Sequence, residues 1–172
     1  MNLPDSLQTA MRTGIYWVSP RLAVGRFVDP LRREELLSQQ VTHILNVSDA
    51  ASLPETTLAP FAQVSDVPIA DLTPIPVESA LQCMEVIRRA FGDDDSKVFV
   101  HCIAGQNRSP TILWLFLIAC GLKEEEAKER INRTSPDAAP GHRSLISEFL
   151  LSRVRAYGHE HPELASLLVD FS

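Results

Sequence analysis

Cysteine is scarce in this chain of 172 residues, with three in all: Cys83, Cys102 and Cys120. An odd, widely spaced set cannot form a disulfide framework, and no close Cys/Cys or Cys/His spacing marks structural zinc. Positive charge is also in deficit. Lys and Arg number 16 against 22 Asp and Glu, a formal net charge of −6, which is the wrong sign for a general nucleic-acid binder. Long apolar runs are missing too. The longest, Ile112–Cys120, falls well short of the ~20 residues of a membrane span and reads as a fully buried helix. The first ten residues contain Pro4 and Asp5, no cation and no apolar core, so no secretory signal is expected there. No internal repeat, low-complexity stretch or Gly/Ser/Pro-rich linker divides the chain. A Gly-x4-Gly-Lys-Ser/Thr run is absent, which removes nucleotide kinases and ATPases of that kind.

What is present is 45% hydrophobic and 22% charged residues, a globular composition. One domain over residues 1–172 is expected, with residues 159–172 as a C-terminal tail or short helix, in a reducing cytoplasm and with no membrane partner.

The apolar pattern alternates between two periods. Ile15–Val18 and Leu22–Val24 read as short strands around Ser19-Pro20. Asp29-Pro30 opens a helix to about Gln39, Asp29 as N-cap and Pro30 in the first helical position. His43–Val47 reads as a buried strand that ends in polar Ser48-Asp49, and Ala62–Val67 as a weaker strand. Pro76 starts a helix to Phe91, whose Val77, Leu81, Met84 and Ile87 keep the helical period. Gly92–Ser96 is a turn, and the wholly apolar Val98–Val100 is a central strand. Helices are expected over Ser109–Cys120, Lys123–Asn132 and Ser144–Ala156. Near the end, Leu164, Leu167, Leu168 and Phe171 suggest a short amphipathic helix packed on the domain. Strands alternating with helices give an α/β fold with a central, mostly parallel sheet flanked by helices.

One segment concentrates the chemistry: His101-Cys102-Ile103-Ala104-Gly105-Gln106-Asn107-Arg108-Ser109-Pro110. A buried strand delivers Cys102 to its carboxyl end, where open α/β sheets bind ligands. A short loop then enters a long apolar helix, and free backbone N–H groups at such an entry bind oxyanions. A thiol placed there beside a guanidinium is shifted toward thiolate. Arg108 can grip two phosphoryl oxygens with its planar fork. Gly105 allows the tight loop, and the Ser109 hydroxyl is placed to bond the Cys102 sulfur. The backbone amides of Ile103, Ala104, Gly105, Gln106 and Asn107 would bind the remaining oxygens, with their side chains shaping the pocket mouth. His101 is read as a loop-ordering residue whose charge, if protonated, would favour the thiolate. Asn107 is read as a brace or as a plain loop residue.

This Cys-x5-Arg-Ser run resembles the signature of the cysteine-dependent protein tyrosine phosphatases, most closely their dual-specificity branch. Thr42-His43-Ile44-Leu45-Asn46-Val47 is similar to a strand of that family, and Val67-Pro68-Ile69-Ala70-Asp71 to its approach to the general-acid loop. The resemblance runs from about Gly14 to Arg155. It implies a phosphocysteine intermediate on Cys102, Asp71 as general acid and then base, and Arg108 as the phosphate clamp. Asp66 competes with Asp71 for the acid role. The resemblance also implies no metal and no cofactor, a phosphorylated protein as substrate, and an active-site loop that takes phosphate or an oxyanion such as sulfate or vanadate. Cys83 is a weak candidate for a protective disulfide with Cys102.

Alternative readings concern the substrate more than the chemistry. A phosphoinositide, RNA 5′-triphosphate, nucleotide or glucan phosphate, or silent binding of phosphopeptides, would use the same loop. The neutral loop side chains disfavour a polyphosphorylated headgroup. His159-Glu160-His161 reads as a solvated turn, and His142-Arg143, after Pro140-Gly141, has no partner the sequence can name. A thiolate nucleophile and a protonated acid together predict a bell-shaped rate profile with pH. Asp71→Asn should remove its basic limb and lower turnover about 100-fold. An unchanged basic limb would place the acid elsewhere.

Overall fold

A computed structural model describes residues 2–171, with side chains through Val169. In chain order the elements are α1 (Asp5–Thr13), β1 (Ile15–Ser19), β2 (Leu22–Gly25), α2 (Pro30–Ser38), β3 (His43–Asn46), α3 (Glu55–Leu58), β4 (Gln63–Asp66), α4 (Val77–Ala90), β5 (Val98–His101), α5 (Arg108–Ala119), α6 (Glu124–Thr134) and α7 (Glu148–Glu160). A 3₁₀ helix, Pro162–Phe171, follows. The five strands form one sheet in the order β1-β2-β5-β3-β4. β1 pairs antiparallel with β2, and all other neighbours are parallel.

Strand alternation assigns the two faces. Leu22, Val24, Leu45, Val47, Val98 and Val100 share one apolar cluster with α4, α5, α6 and α7. Ala23, Ile44 and Phe99 point the other way, against Leu36 of α2 and Leu58 of α3. Both faces are covered, so β5 reads as a continuous apolar run. α5 lies within the larger cluster and is buried along its whole length, which explains why it shows almost no amphipathic pattern. Asp29 caps α2 by accepting from the Arg32 amide at 2.7 Å, with Pro30 in the first turn.

Several boundaries differ from expectation. α1 had no strand or helix assigned in the sequence. It starts after Pro4 without a side-chain cap and buries little more than Thr13. α7 begins at Glu148 rather than Ser144, because the Ser147 hydroxyl caps it by accepting from the Leu150 amide at 3.1 Å. α5 starts one residue early, at Arg108. The short helix expected at the C-terminal end is a 3₁₀ helix. Its Leu164 is buried, and Leu167 and Leu168 are half-buried against the core. The Phe171 side chain lies outside the described residues.

The central strand ends in a buried imidazole. His101 is stacked on Phe99, with ring centroids 5.7 Å apart, and meets Phe27 edge-on at 5.2 Å. Burial lowers its pKa to about 4, against the opposing pull of its bond to the Cys102 carbonyl and of Asp66. Nε2 is buried with no hydrogen-bond partner among the described residues, so protonation would place a cation where none of them receives it. The unfolded chain takes up this proton near pH 6.5 and the folded one only near pH 4. Over that window the unfolded state binds more protons, so acidification removes stability. From pH 7 to pH 5, His101 should cost about 2 kcal/mol. Urea unfolding of the wild type against His101→Gln at both values checks this: the variant should show a loss smaller by that amount.

Candidate active site

β5 lies at the centre of the sheet, between β2 and β3, and its last residue, His101, is in register with Gly25 and Asn46. The chain therefore leaves the middle of the sheet at the carboxyl ends of the strands, where crossovers depart to different sides and a crevice forms. It passes through Cys102–Asn107 and turns into α5 at Arg108.

Close backbone packing shapes that loop. Gly105 has φ +70°, and a Cβ there would lie 2.8 Å from the Gly25 carbonyl carbon. Gly25 itself abuts the Gly14 carbonyl, so a side chain at Gly25 would collide with it. The loop is also tied on two sides. Phe27 N donates to the Ile103 carbonyl at 3.1 Å, and Ala139 N donates to the Gln106 carbonyl at 2.7 Å. The carbonyls are thereby used, while the amides of Ile103 through Asn107 have no protein acceptor among the described residues. Five consecutive donors remain at the positive end of a twelve-residue helix.

Cys102 is 2% exposed. The Ser109 hydroxyl donates to its Sγ at 3.2 Å and lies 3.5 Å from the Gly25 carbonyl. A donor aimed at sulfur stabilises its charged form. Arg108 is buried, and its Nη1 donates to Asp49 Oδ1 at 2.8 Å and to the Ile69 carbonyl at 3.0 Å. Its Nε is buried without a hydrogen bond among the described residues and stands 4.0 Å from Asp71 Oδ1. Asp71 is partly exposed, and Oδ1 accepts from the Leu72 amide at 3.0 Å. Nucleophile loop, guanidinium and Asp71 are thus brought together from β5, α5 and the segment after β4.

The competing acid is engaged elsewhere. Asp66 closes β4 and accepts from Asn46 Nδ2 and Ser52 Oγ, which ties it to the β3–β4 edge. Burial lowers the pKa of His101 to about 4, so the condition attached to its charge, a protonated ring, is met only in acid. Its Nδ1 lies 3.0 Å from the Cys102 carbonyl, so its ordering of the loop acts through that bond. Asn107 makes no side-chain hydrogen bond among the described residues, leaving the plain loop reading. Ile103, Ala104 and Gln106 are exposed. All three cysteines are free. Burial pushes the Cys83 thiol far up and that of Cys120 up to about 12, which makes both inert as exchanging thiolates.

Asp49 is the residue that sequence reasoning missed. The Arg108 guanidinium beside it holds its carboxyl below the usual carboxylate range. Its only signal was its place just past a buried strand, since the partner lies 59 positions away. The Ile69 carbonyl has no side-chain signature at all.

Comparison with known proteins places the chain in a family. Residues 15–152 match a family model described as "Swiss Army Knife protein, DSP-PTPase phosphatase domain". Dual specificity protein phosphatase 15 of Homo sapiens is 30% identical over 138 residues, covering 77% of this chain and 44% of that protein. The chain therefore spans less than half the length of this human relative. Protein tyrosine phosphatase type IVA 2 of Mus musculus is 32% identical over 123 residues, 71% of this chain and 74% of the relative. A crystal structure of DUSP15 shares the fold with a TM-score of 0.68 at 23% identity, over 91% of this chain and 95% of that one. With a family model matching from β1 into α7 and a Cys-x5-Arg loop at the centre of the shared fold, the chain belongs to the dual-specificity branch of the cysteine-dependent protein tyrosine phosphatases.

Proposed function

We propose that this protein is a protein phosphatase that hydrolyses phosphotyrosine, together with phosphoserine and phosphothreonine, through a phosphocysteine intermediate, with residues 1–172 as one catalytic domain. The observation that carries this reading is the seat of Cys102. Its sulfur receives a hydrogen bond from Ser109, and its loop leaves five amides free beside the buried Arg108 fork.

In the first step the Cys102 thiolate attacks phosphorus and the bond to the leaving oxygen breaks. Asp71 gives that oxygen its proton. In the second step water attacks phosphorus, the Asp71 carboxylate takes its proton, and the S–P bond breaks. The Ser109 hydroxyl then donates to the departing sulfur. Arg108 and the loop amides hold the equatorial oxygens throughout, with contacts that strengthen as charge redistributes. Activity on all three phosphoamino acids is supported by membership of the dual-specificity branch. Three free thiols suit a reducing cytoplasm, and no described helix is long and apolar enough to cross a membrane.

The test is hydrolysis of an aryl phosphate in excess EDTA, with and without vanadate. Wild type should turn over and vanadate should inhibit it. Cys102→Ser should lose at least about 1,000-fold in kcat yet still bind a phosphotyrosine peptide. Near-normal turnover by Cys102→Ser would overturn the mechanism. A folded wild type that binds phosphopeptide without hydrolysing it would make the protein a silent phosphate reader.

A further inference from the structure

The segment from Ala139 to Leu145 frames the site and has no role in the mechanism above. Three contacts fix it. Ala139 N bonds the Gln106 carbonyl of the nucleophile loop. Gly141, at φ +72°, is pressed against Trp114 of α5, where a Cβ would lie 3.0 Å from the indole. The Leu145 carbonyl accepts from Ile75 N at 2.8 Å, four residues after Asp71. Between these anchors Leu145 N donates to the His142 carbonyl at 2.8 Å, closing a turn, and Ser144 N donates to His142 Nδ1 at 3.2 Å. Arg143 stands at the corner of this turn. It is exposed and has no ion pair or hydrogen bond among the described residues.

Local charge gives that position its meaning. The Arg108 cation is already matched by Asp49 and faces Asp71. The segments that frame the site, 48–53, 67–76 and 102–107, carry no Lys or Arg. Arg26, after β2, lines a cleft with Ala104, Gly105 and Gln106 and donates to the Met11 carbonyl, while the segment bonded to Ile75, just past Asp71, carries Arg143. An anionic group on the Asp49 and Asp71 side of the scissile phosphate would meet two carboxylates, and Arg143 is the cation on the segment tied to that side through Ile75.

We infer that Arg143 is a specificity-determining residue that favours phosphopeptides carrying an acidic side chain next to the phosphorylated residue. The inference rests on the phosphatase reading above. An exposed ion pair of this kind is worth a few-fold in affinity and is screened by salt. It acts alike on bound substrate and transition state, so it appears in KM rather than kcat.

The experiment compares two phosphotyrosine peptides, flanked by Glu or by Gln, with a small aryl phosphate as internal control. Wild type should show kcat/KM about three- to fivefold higher for the Glu peptide, carried by KM and erased at about 0.5 M salt. Arg143→Ala should abolish the preference while leaving aryl phosphate turnover unchanged, and Arg143→Lys should restore part of it. Equal rates for the two peptides with wild type, or a preference that survives in Arg143→Ala, would overturn the inference while aryl phosphate turnover keeps the phosphatase reading intact. Loss of wild-type turnover on all three substrates would overturn both.

Discussion

A guanidinium buried at the head of an apolar helix constrains the rest of this site. Arg108 is the first residue of α5, a helix with no exposed face, and its side chain is 7% exposed. The helix dipole already puts partial positive charge at that end. A second cation there is tolerable only with anionic or carbonyl partners close by. Asp49 and the Ile69 carbonyl supply two, and Asp71 stands just beyond hydrogen-bond reach of the unused Nε. The electrostatic strain that would make such a helix start unstable is also what suits it to the phosphoryl dianion of the proposed reaction. Nε and the free loop amides are donors waiting for acceptor oxygens.

The backbone around Cys102 follows from the same demand for close approach. Gly105 bends the loop with a positive φ and passes against Gly25, which in turn passes against Gly14. Three backbone segments meet without a Cβ between them, so the loop can sit at the carboxyl end of the sheet instead of above it. The next segment shows a comparable strain. Leu72 holds φ +57° with no glycine to ease it, an uncommon state for a residue branched at Cγ. The Asp71 carboxylate accepts from its amide at 3.0 Å and so turns the chain locally. Asp71 is thereby presented on a bend and not on a strand, which separates it from Asp66 five residues earlier.

Legibility in the sequence divides along chain separation. Cys102, Gly105, Arg108 and Ser109 lie within one short run, and strand, loop and helix entry are written contiguously. The buried strands were readable for the same reason, because alternation and apolar runs are local. The pairing of Arg108 with Asp49 spans 59 positions and leaves no local pattern. α1 escaped notice because its buried contribution is small and its start lacks a side-chain cap. The neutrality of His101 could not be read at all, since it depends on Phe27 and Phe99 enclosing the ring. The placement of Arg143 beside the acid loop likewise rests on two backbone hydrogen bonds between distant segments.

The distribution of charge sets how the site discriminates. A loop of neutral side chains with one internally compensated arginine suits the single phosphoryl group of the proposed mechanism, and offers little long-range attraction to a polyanion. With a net charge of −6, the whole chain adds no general steering toward acidic ligands. Selectivity therefore has to come from geometry at the loop and from isolated cations on the segments that frame it. An arginine on a turn fixed by Trp114, the Gln106 carbonyl and Ile75 N has only its side chain left to order, because its backbone is already fixed, and that remaining cost keeps the gain to a few-fold. Specificity of a few-fold per contact, added at the rim, would leave the chemistry proposed for Cys102 unchanged. The same nucleophile loop can then serve different substrates when the framing segments change.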